Sequence, residues 1–340
     1  MKNKIWRLTL DTNPEDCNLN CIMCEEHSKF SNFKQNLFQK TGIKNRRMPK
    51  SWIEPLFVEA KKIGVGEIIP STMGEPLLYQ HINLFFELAK KYNIKINLTT
   101  NGTFPQKSAE DWAKIIIPVT SDTKISLNGA SKKTAEKIMT GLNFEKQIQN
   151  IKEFVNFRNI YFQKTGIFSR ITLQLTYLQT NMHELPKIVK LASQLDIDRI
   201  KGHHLWTHFP EIQNLSFKND ENSIERWNKI IDKTKEAARI YKKPNGKKII
   251  LEQIDYLTYN KPQEVPHEYN CPFLEQELWI SATGKISPCC APDELRNSLG
   301  DFGNYPETSL QAVLQSQVYQ DLVKNYKTKK LCKTCVMRKR

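Results

Sequence analysis

The sequence predicts an α/β protein in which six parallel βα units are followed by a small α+β tail. Three observations carry that prediction. Short β-branched runs alternate with helical patterns between residues 5 and 206, as strands joined by crossover helices do. Candidate strands starting near 67, 94 and 124 are spaced as strand, loop, helix and loop require. Beyond residue 266 the pattern changes to one short hairpin and one amphipathic helix.

From the N-terminus, strands are expected over 5–10, 67–71, 94–99, 124–127, 170–176 and 199–203. Pro49 suits the first turn of a helix through Trp52, Leu56 and Ala60, with Gly64 as its stop. Ser108 followed by Asp111, ahead of Trp112, has the form of a capping box with Asp in place of Glu. Asn181 is expected to cap the helix that contains Glu184, Leu185, Ile188 and Leu191. Six such units fit a doubly wound sheet or a partial barrel, and periodicity does not choose between them. A polar helix is expected over 220–241 and a proline-containing connector over 261–266. In the tail, strands over 277–280 and 285–287 flank Ala-Thr-Gly, and one helix runs over 310–326. The expected divisions are therefore 1–210, 211–265 and 266–340.

Composition excludes several classes. With 39% apolar and 10% aromatic residues, a chain of this length buries roughly three quarters of its unfolded surface, so disorder is excluded. Its apolar runs, such as 115–117 and 278–280, fall far short of the ~18 residues needed to span a bilayer. The basic start lacks a long apolar core, which predicts no signal peptide and a cytoplasmic protein. Eight cysteines in a reducing compartment point to ligands rather than disulfides. A tail of about 75 residues is small and polar, so a metal staple at its cysteines is physically reasonable. The net charge of +15 would ordinarily suggest nucleic acid. Seven of the basic residues, however, fall in the last fourteen positions, and the preceding 326 residues carry only +8.

The sharpest chemical signal is Cys17, Cys21 and Cys24, on a loop directly after the first strand. Three thiolates this close can hold three irons of a [4Fe–4S] cluster and leave the fourth open for a ligand. Zinc is the competing reading, with His27 closing a tetrahedron.

At these residues the sequence resembles the radical S-adenosylmethionine (SAM) superfamily, whose cluster motif has this spacing. The resemblance implies a partial (β/α)6 TIM-type barrel with the cluster at its mouth. Met73-Gly74-Glu75-Pro76 follows the second strand, where the family carries a Gly-Gly-Glu-Pro type segment that binds the SAM amino group. Met73 departs from the usual glycine; Glu75 is the expected acceptor for the ammonium. Thr100-Asn101-Gly102 ends the third strand and looks like the family's Thr-Asn-Gly segment. Ser126-Leu127-Asn128-Gly129 ends the fourth, where many members have Ser-x-Asp-Gly. Asn128 keeps an acceptor for a ribose or substrate hydroxyl but loses the charge. Met23 stands where an aromatic often covers the adenine, and its sulfur still packs on a ring. Lys137 lies where many relatives carry an Arg for the SAM carboxylate, although a helical surface lysine is the plainer reading. All these segments end predicted strands, where barrels build their sites.

The C-terminal cysteines resemble the twitch domain, a shortened SPASM domain with one auxiliary [4Fe–4S] cluster. The resemblance implies Cys271, Cys289, Cys332 and Cys335 as its ligands, with Gly284 in the hairpin turn between them. Cys290 is left over and by spacing could exchange with Cys289. A four-cysteine zinc site is the rival.

The resemblance further implies an enzyme. The reduced cluster passes an electron to SAM, and the resulting 5′-deoxyadenosyl radical takes a hydrogen atom from substrate. The auxiliary cluster would then assist oxidation or rearrangement. Candidate substrate residues are His203, His204, Trp206 and His208, after the last barrel strand, against the alternative that they are ordinary rim residues. Tyr177 and Gln179, after the fifth strand, have the same standing. Peptide-modifying relatives often begin with an extra recognition domain; a first strand at residue 5 leaves no room for one. That favours a small metabolite: a sugar, an aminocyclitol or a nucleotide-linked molecule. A peptide maturase with a separate recognition partner is the second reading, and a non-enzymatic iron–sulfur or zinc protein binding RNA the third. Occupied clusters would remove about three positive charges. The basic tail then reads as support for the auxiliary cluster and as a landing surface for an acidic electron donor such as flavodoxin or ferredoxin, rather than for nucleic acid.

Overall fold

A computed structural model describes residues 5–258 and 264–339. The six predicted barrel strands all form: β1 (Arg7–Leu10), β2 (Glu67–Ile69), β3 (Lys95–Thr100), β4 (Thr120–Ser126), β5 (Arg170–Tyr177) and β6 (Arg199–His204). A further short strand, β7 (Ile250–Glu252), pairs in parallel with β6 and had no β-branched run long enough to announce it. The hairpin strands β8 (Glu277–Ile280) and β9 (Ile286–Ser287) complete one nine-stranded sheet, ordered β7-β6-β5-β4-β3-β2-β1-β8-β9. Every pairing is parallel except that between β8 and β9. This is the partial barrel, extended at one edge by the tail's hairpin.

The period of two decides what each face does. Leu8, Ile68, Ile96, Leu98, Ile125, Leu173 and Ile200 are fully buried in the main core against the helices. The alternate residues Arg7, Thr9, Glu67, Asn97, Asp122, Thr172, Arg199 and Glu277 bond to one another across the other face. The barrel interior is therefore polar, unlike a barrel closed on layers of branched apolar side chains.

Among the described residues, twelve α-helices accompany the strands: α1 (Phe33–Thr41), α2 (Lys50–Ile63), α3 (Ile82–Tyr92), α4 (Ala109–Ile116), α5 (Lys132–Ile138), α6 (Phe144–Thr165), α7 (Leu185–Gln194), α8 (Glu221–Ile240), α9 (Asp293–Arg296), α10 (Leu310–Gln315), α11 (Gln317–Asn325) and α12 (Lys330–Lys333). Ser108 caps α4 by accepting the Asp111 N–H at 3.1 Å, and its hydroxyl donates to the Asp111 carboxylate at 2.7 Å. Gly64 ends α2 with a left-handed φ of 89°. Asn181 holds the N-cap position of a 3-10 turn, Met182–Glu184, ahead of the helix, but its side chain makes no capping bond. Its Oδ1 accepts the Leu178 N–H, and its Nδ2 donates to the carbonyls of Asn128 and Thr176, which fixes the loop after β5. The expected helix over 310–326 breaks at Ser316, whose extended backbone and side chain cap α11. Unpredicted α1 buries no residue, so it left no apolar stripe to read.

The tail does not build a core of its own. Leu310, Val313, Tyr319 and Leu322 join the main core. Leu310 N–H donates to Glu59 of α2 at 2.7 Å, and Trp52 meets Tyr305 edge-on at 5.6 Å. The connector expected over 261–266 falls partly on 259–263, outside the described residues. No helix among the described residues is long and apolar enough to cross a membrane.

Candidate active site at the barrel mouth

The cysteine loop is fixed from three sides. Asn20 and Ile22 N–H groups donate to the Thr140 and Ile138 carbonyls at the end of α5, both at 2.9 Å. Arg46 reaches back from before α2, donating to Glu26 at 3.0 and 2.5 Å and to Glu15 at 2.6 Å, while Arg47 pairs with Asp16. Beneath the loop, Leu19, Ile138, Met139, Leu142 and Leu205 form a second apolar cluster on which Cys17, Cys21 and Met23 pack.

The three thiols are close enough to feel one another's charge. Burial first, and then the neighbouring thiols or acids, raise all three above the ordinary range, Cys17 to about 11. Thiolates here need a positive centre to stabilise them, and an iron–sulfur core supplies one. The donor set fits such a cluster. The His27 ring is turned to the Pro14 carbonyl, to which its Nε2 bonds at 2.8 Å. Among the described residues, no three Cys, His, Asp or Glu side chains are gathered as tightly as one bound metal ion needs.

The strand-end segments meet this loop as the motif order predicts. Gly74 has φ +75°, and a Cβ there would strike the Asn13 carbonyl and lie 2.7 Å from that of Asp16. Glu75 is buried. Its Oε1 accepts from Thr100 Oγ1 at 2.8 Å and Leu77 N–H at 3.2 Å, and its Oε2 accepts, among the described residues, only the Asn101 N–H, at 2.7 Å. Burial raises its pKa to about 7 against the pull of those bonds. Asn101 in turn donates to Asn18 Oδ1 at 2.8 Å, on the cysteine loop. One connected unit thus joins the cysteine loop, Glu75 and the end of β3.

Other predicted site residues are placed differently. Ser126 lies at the end of β4, where its carbonyl accepts from Gln147 at 2.9 Å. Asn128 is 3% exposed, and its Oδ1 accepts the Thr176 N–H at 2.8 Å, so it staples two strand ends instead of offering its acceptor to a hydroxyl. Lys137 is exposed on α5. His203 faces the lumen with Gln174 and Thr176, each at 3.5 Å, and is solvent-accessible there. His204 points the opposite way. It packs under α8 between Tyr177 and Trp227, with centroids 5.3 and 4.8 Å away, which removes it and Tyr177 from the site. Gln179 bonds to Ser216 and Ser223. Trp206 is half exposed and stacks on His208, whose Nδ1 lies 3.4 Å from Glu25 beside Cys24. Glu184, read only as a helix residue, instead accepts from Ala130, Ser131 and Thr134 and fixes the loop after β4.

The second thiol set is assembled from distant segments. Cys271, Cys289, Cys290 and Cys335 interact electrostatically, and Cys332 with Cys289, Cys271 and Cys335. Leu274 and Ala291 N–H groups donate to Cys271 and Cys289 sulfurs at 3.4 Å. Arg338, 5% exposed, donates to the carbonyls of Pro266, His267, Tyr269 and Cys332 and closes the segment around the thiols. The neighbouring Cys289 and Cys290 thiols act on each other, which favours ionisation of the first and opposes that of the second.

Comparison with known proteins finds a separate family model over each thiol set. The family model described as the Radical SAM superfamily matches residues 14–192, and the SPASM model, an iron-sulfur cluster-binding domain, matches 271–336. No curated protein matches the chain in sequence. Among solved structures, the chain is similar to Streptococcus suis SuiB bound to S-adenosylmethionine, with TM-score 0.67, 17% identity, and coverage of 98% of this chain and 72% of that one. SuiB bound to precursor peptide SuiA gives 0.63 and 18%, covering 94% and 67%. Native anSMEcpe with bound AdoMet and Cp18Cys peptide gives 0.63 and 17%, covering 97% and 86%. At these identities the likeness is one of fold.

Proposed function

The chain belongs to the radical SAM superfamily and carries a SPASM domain, and from that premise we propose how this enzyme uses its residues. Cys17, Cys21 and Cys24 hold the [4Fe–4S] cluster that faces SAM, and Cys271, Cys332, Cys335 and Cys289 hold one auxiliary cluster. When bound, these groups supply the one-electron cleavage of SAM and the 5′-deoxyadenosyl radical that takes a hydrogen atom from substrate. The protein's part is positioning and exclusion of water. Thr100 and Asn101 orient Glu75 so that its Oε2, with one acceptor site still open, takes the SAM ammonium. Met23 and the apolar cluster under the loop keep that contact dry. The observation that carries the reading is the single bonded unit of Asn18, Asn101 and Glu75, which ties the cysteine loop to the end of β3.

The polar lumen, reached by His203, supports a small polar metabolite as substrate, of the sugar, aminocyclitol or nucleotide-linked kind. A peptide is the second reading, favoured by the likeness to two structures that hold peptides. An acidic donor, flavodoxin or ferredoxin, would meet the basic tail at a cleft of about 520 Å³ beside Cys271, lined by His267, Lys324 and Lys327. The cytoplasm, which is reducing, suits such clusters. Anaerobic reconstitution tests the proposal. About eight irons per chain are expected, with 5′-deoxyadenosine formed under a strong reductant. Zinc at both sites with no SAM cleavage would overturn it, and deuterium transfer from candidate substrates into 5′-deoxyadenosine would identify the substrate.

A further inference from the structure

The charged floor of the lumen is closed on itself. Glu67 accepts from Arg7 at 2.8 Å and Asn97 at 3.1 Å; Glu277 accepts from Thr9 and lies 3.5 Å from Arg7. Asp122 accepts from Thr172 at 2.8 Å and from Arg199, and Glu252 pairs with Arg199 and, at 2.7 Å, with Lys201. Lys124 is left out of this network. It lies two residues past Asp122 on β4 and so faces the same lumen, next to Thr99 and Thr172 in register. It makes no hydrogen bond or ion pair among the described residues, and its side chain keeps partial exposure, which on this face is exposure to the lumen. Desolvation lowers its pKa to about 8, with Asp122 and Glu67 pulling up and Lys201 and Arg7 pushing down through space.

A second unengaged donor lies on the same face of the sheet. Trp279 lies two residues past Glu277 on β8, on the lumen side by the strand period, and its indole Nε1 is buried with no hydrogen-bond partner. Lys124 is near enough to this strand to influence Glu277. A buried indole N–H and a largely desolvated ammonium, both without acceptors, are costly unless a ligand accepts from them. A cationic ligand would be repelled by Lys124 and Lys201; a carboxylate satisfies both donors and forms a charge-assisted bond.

We propose that Lys124, together with the Trp279 indole N–H, anchors a carboxylate of the substrate inside the barrel. That the ligand is the substrate rests on the radical SAM reading above; the anion site itself does not. The test uses anaerobically reconstituted holoenzyme with SAM and calorimetric titration of succinate, its uncharged analogue succinamide, and inorganic phosphate. Succinate is expected to bind about tenfold tighter than succinamide, a difference of ~1.4 kcal/mol. Lys124→Met should abolish the preference, Lys124→Arg should retain it, and Trp279→Phe should weaken succinate about threefold. Equal binding of acid and amide, a preference that survives Lys124→Met, or no saturable succinate binding overturns the assignment, and phosphate binding tighter than succinate overturns the carboxylate class. SAM binding and substrate-free 5′-deoxyadenosine formation, measured on the same samples, report folding and the radical SAM reading separately.

Discussion

The two thiol sites solve the same problem by opposite means. At the barrel mouth, three cysteines within eight residues lie on one loop, and carboxylates hold that loop through Arg46. In the tail, five cysteines come from segments near 271, 289 and 332, and Arg338 holds them through backbone carbonyls. The first site is local in sequence and braced by side-chain charge. The second is non-local and braced by main-chain dipoles. A local site tolerates disturbance elsewhere, whereas an assembled one depends on the docking of the whole tail.

Removing one thiol from each site gives the largest contrast. Cys17→Ala should reduce 5′-deoxyadenosine formation to background, while Cys332→Ala should spare SAM binding; each should lower iron by about four per chain. Cleavage by Cys17→Ala at the wild-type rate would remove the assignment of the active cluster. The braces come next. Arg46→Met leaves Glu26 buried without its partner and should cost about 3–5 kcal/mol in denaturant unfolding. Arg338→Met leaves only carbonyls unsatisfied, about 1–3 kcal/mol. Equal losses would erase the distinction between charge and dipole bracing.

Glycines sharpen the comparison further. Gly74 at φ +75° and Gly284 at φ +93° each lie where a Cβ would meet backbone oxygens, of Asn13 and Asp16 in one case and Tyr305 in the other. Each substitution to Ala should cost about 1–3 kcal/mol. Gly74→Ala should also weaken SAM binding with the auxiliary cluster intact, and Gly284→Ala should do the reverse. The smallest effect is acid sensitivity in the barrel half. Burial holds His204 neutral, with its pKa lowered to about 3. A histidine whose folded pKa lies below its unfolded value gives stability that is complete above pH 6.5 and is lost as pH falls toward 3. By pH 5 the wild type should have lost roughly 1–2 kcal/mol relative to His204→Phe, read from urea midpoints.

What the sequence made legible follows the same divide. The six barrel strands, the Ser108 cap, the Gly64 stop and the three-cysteine loop are set by neighbouring residues, and they form where expected. Features set by distant partners were not visible. Asn128 and Asn181 look like a ligand and a cap until the β5 backbone they bond is in place. His203 and His204 are adjacent in sequence, and only the sheet's two faces send one into the lumen and the other under α8. The pairing of β8 with β1 joins residues some 270 apart, beyond the reach of any local pattern. Lys124 reads as a strand lysine until its neighbours are seen to be engaged with others.

That same pairing has a consequence for how the molecule is made. β1 is synthesised some 270 residues ahead of β8, so one of its two edges stays open until residues 277–280 are made. Over that interval the nascent barrel presents a bare parallel edge, a template for joining other chains. A chain ending before Glu277 should lose more than an auxiliary cluster: it should leave the first strand unsealed and sediment as aggregates, even with every residue of the SAM loop present.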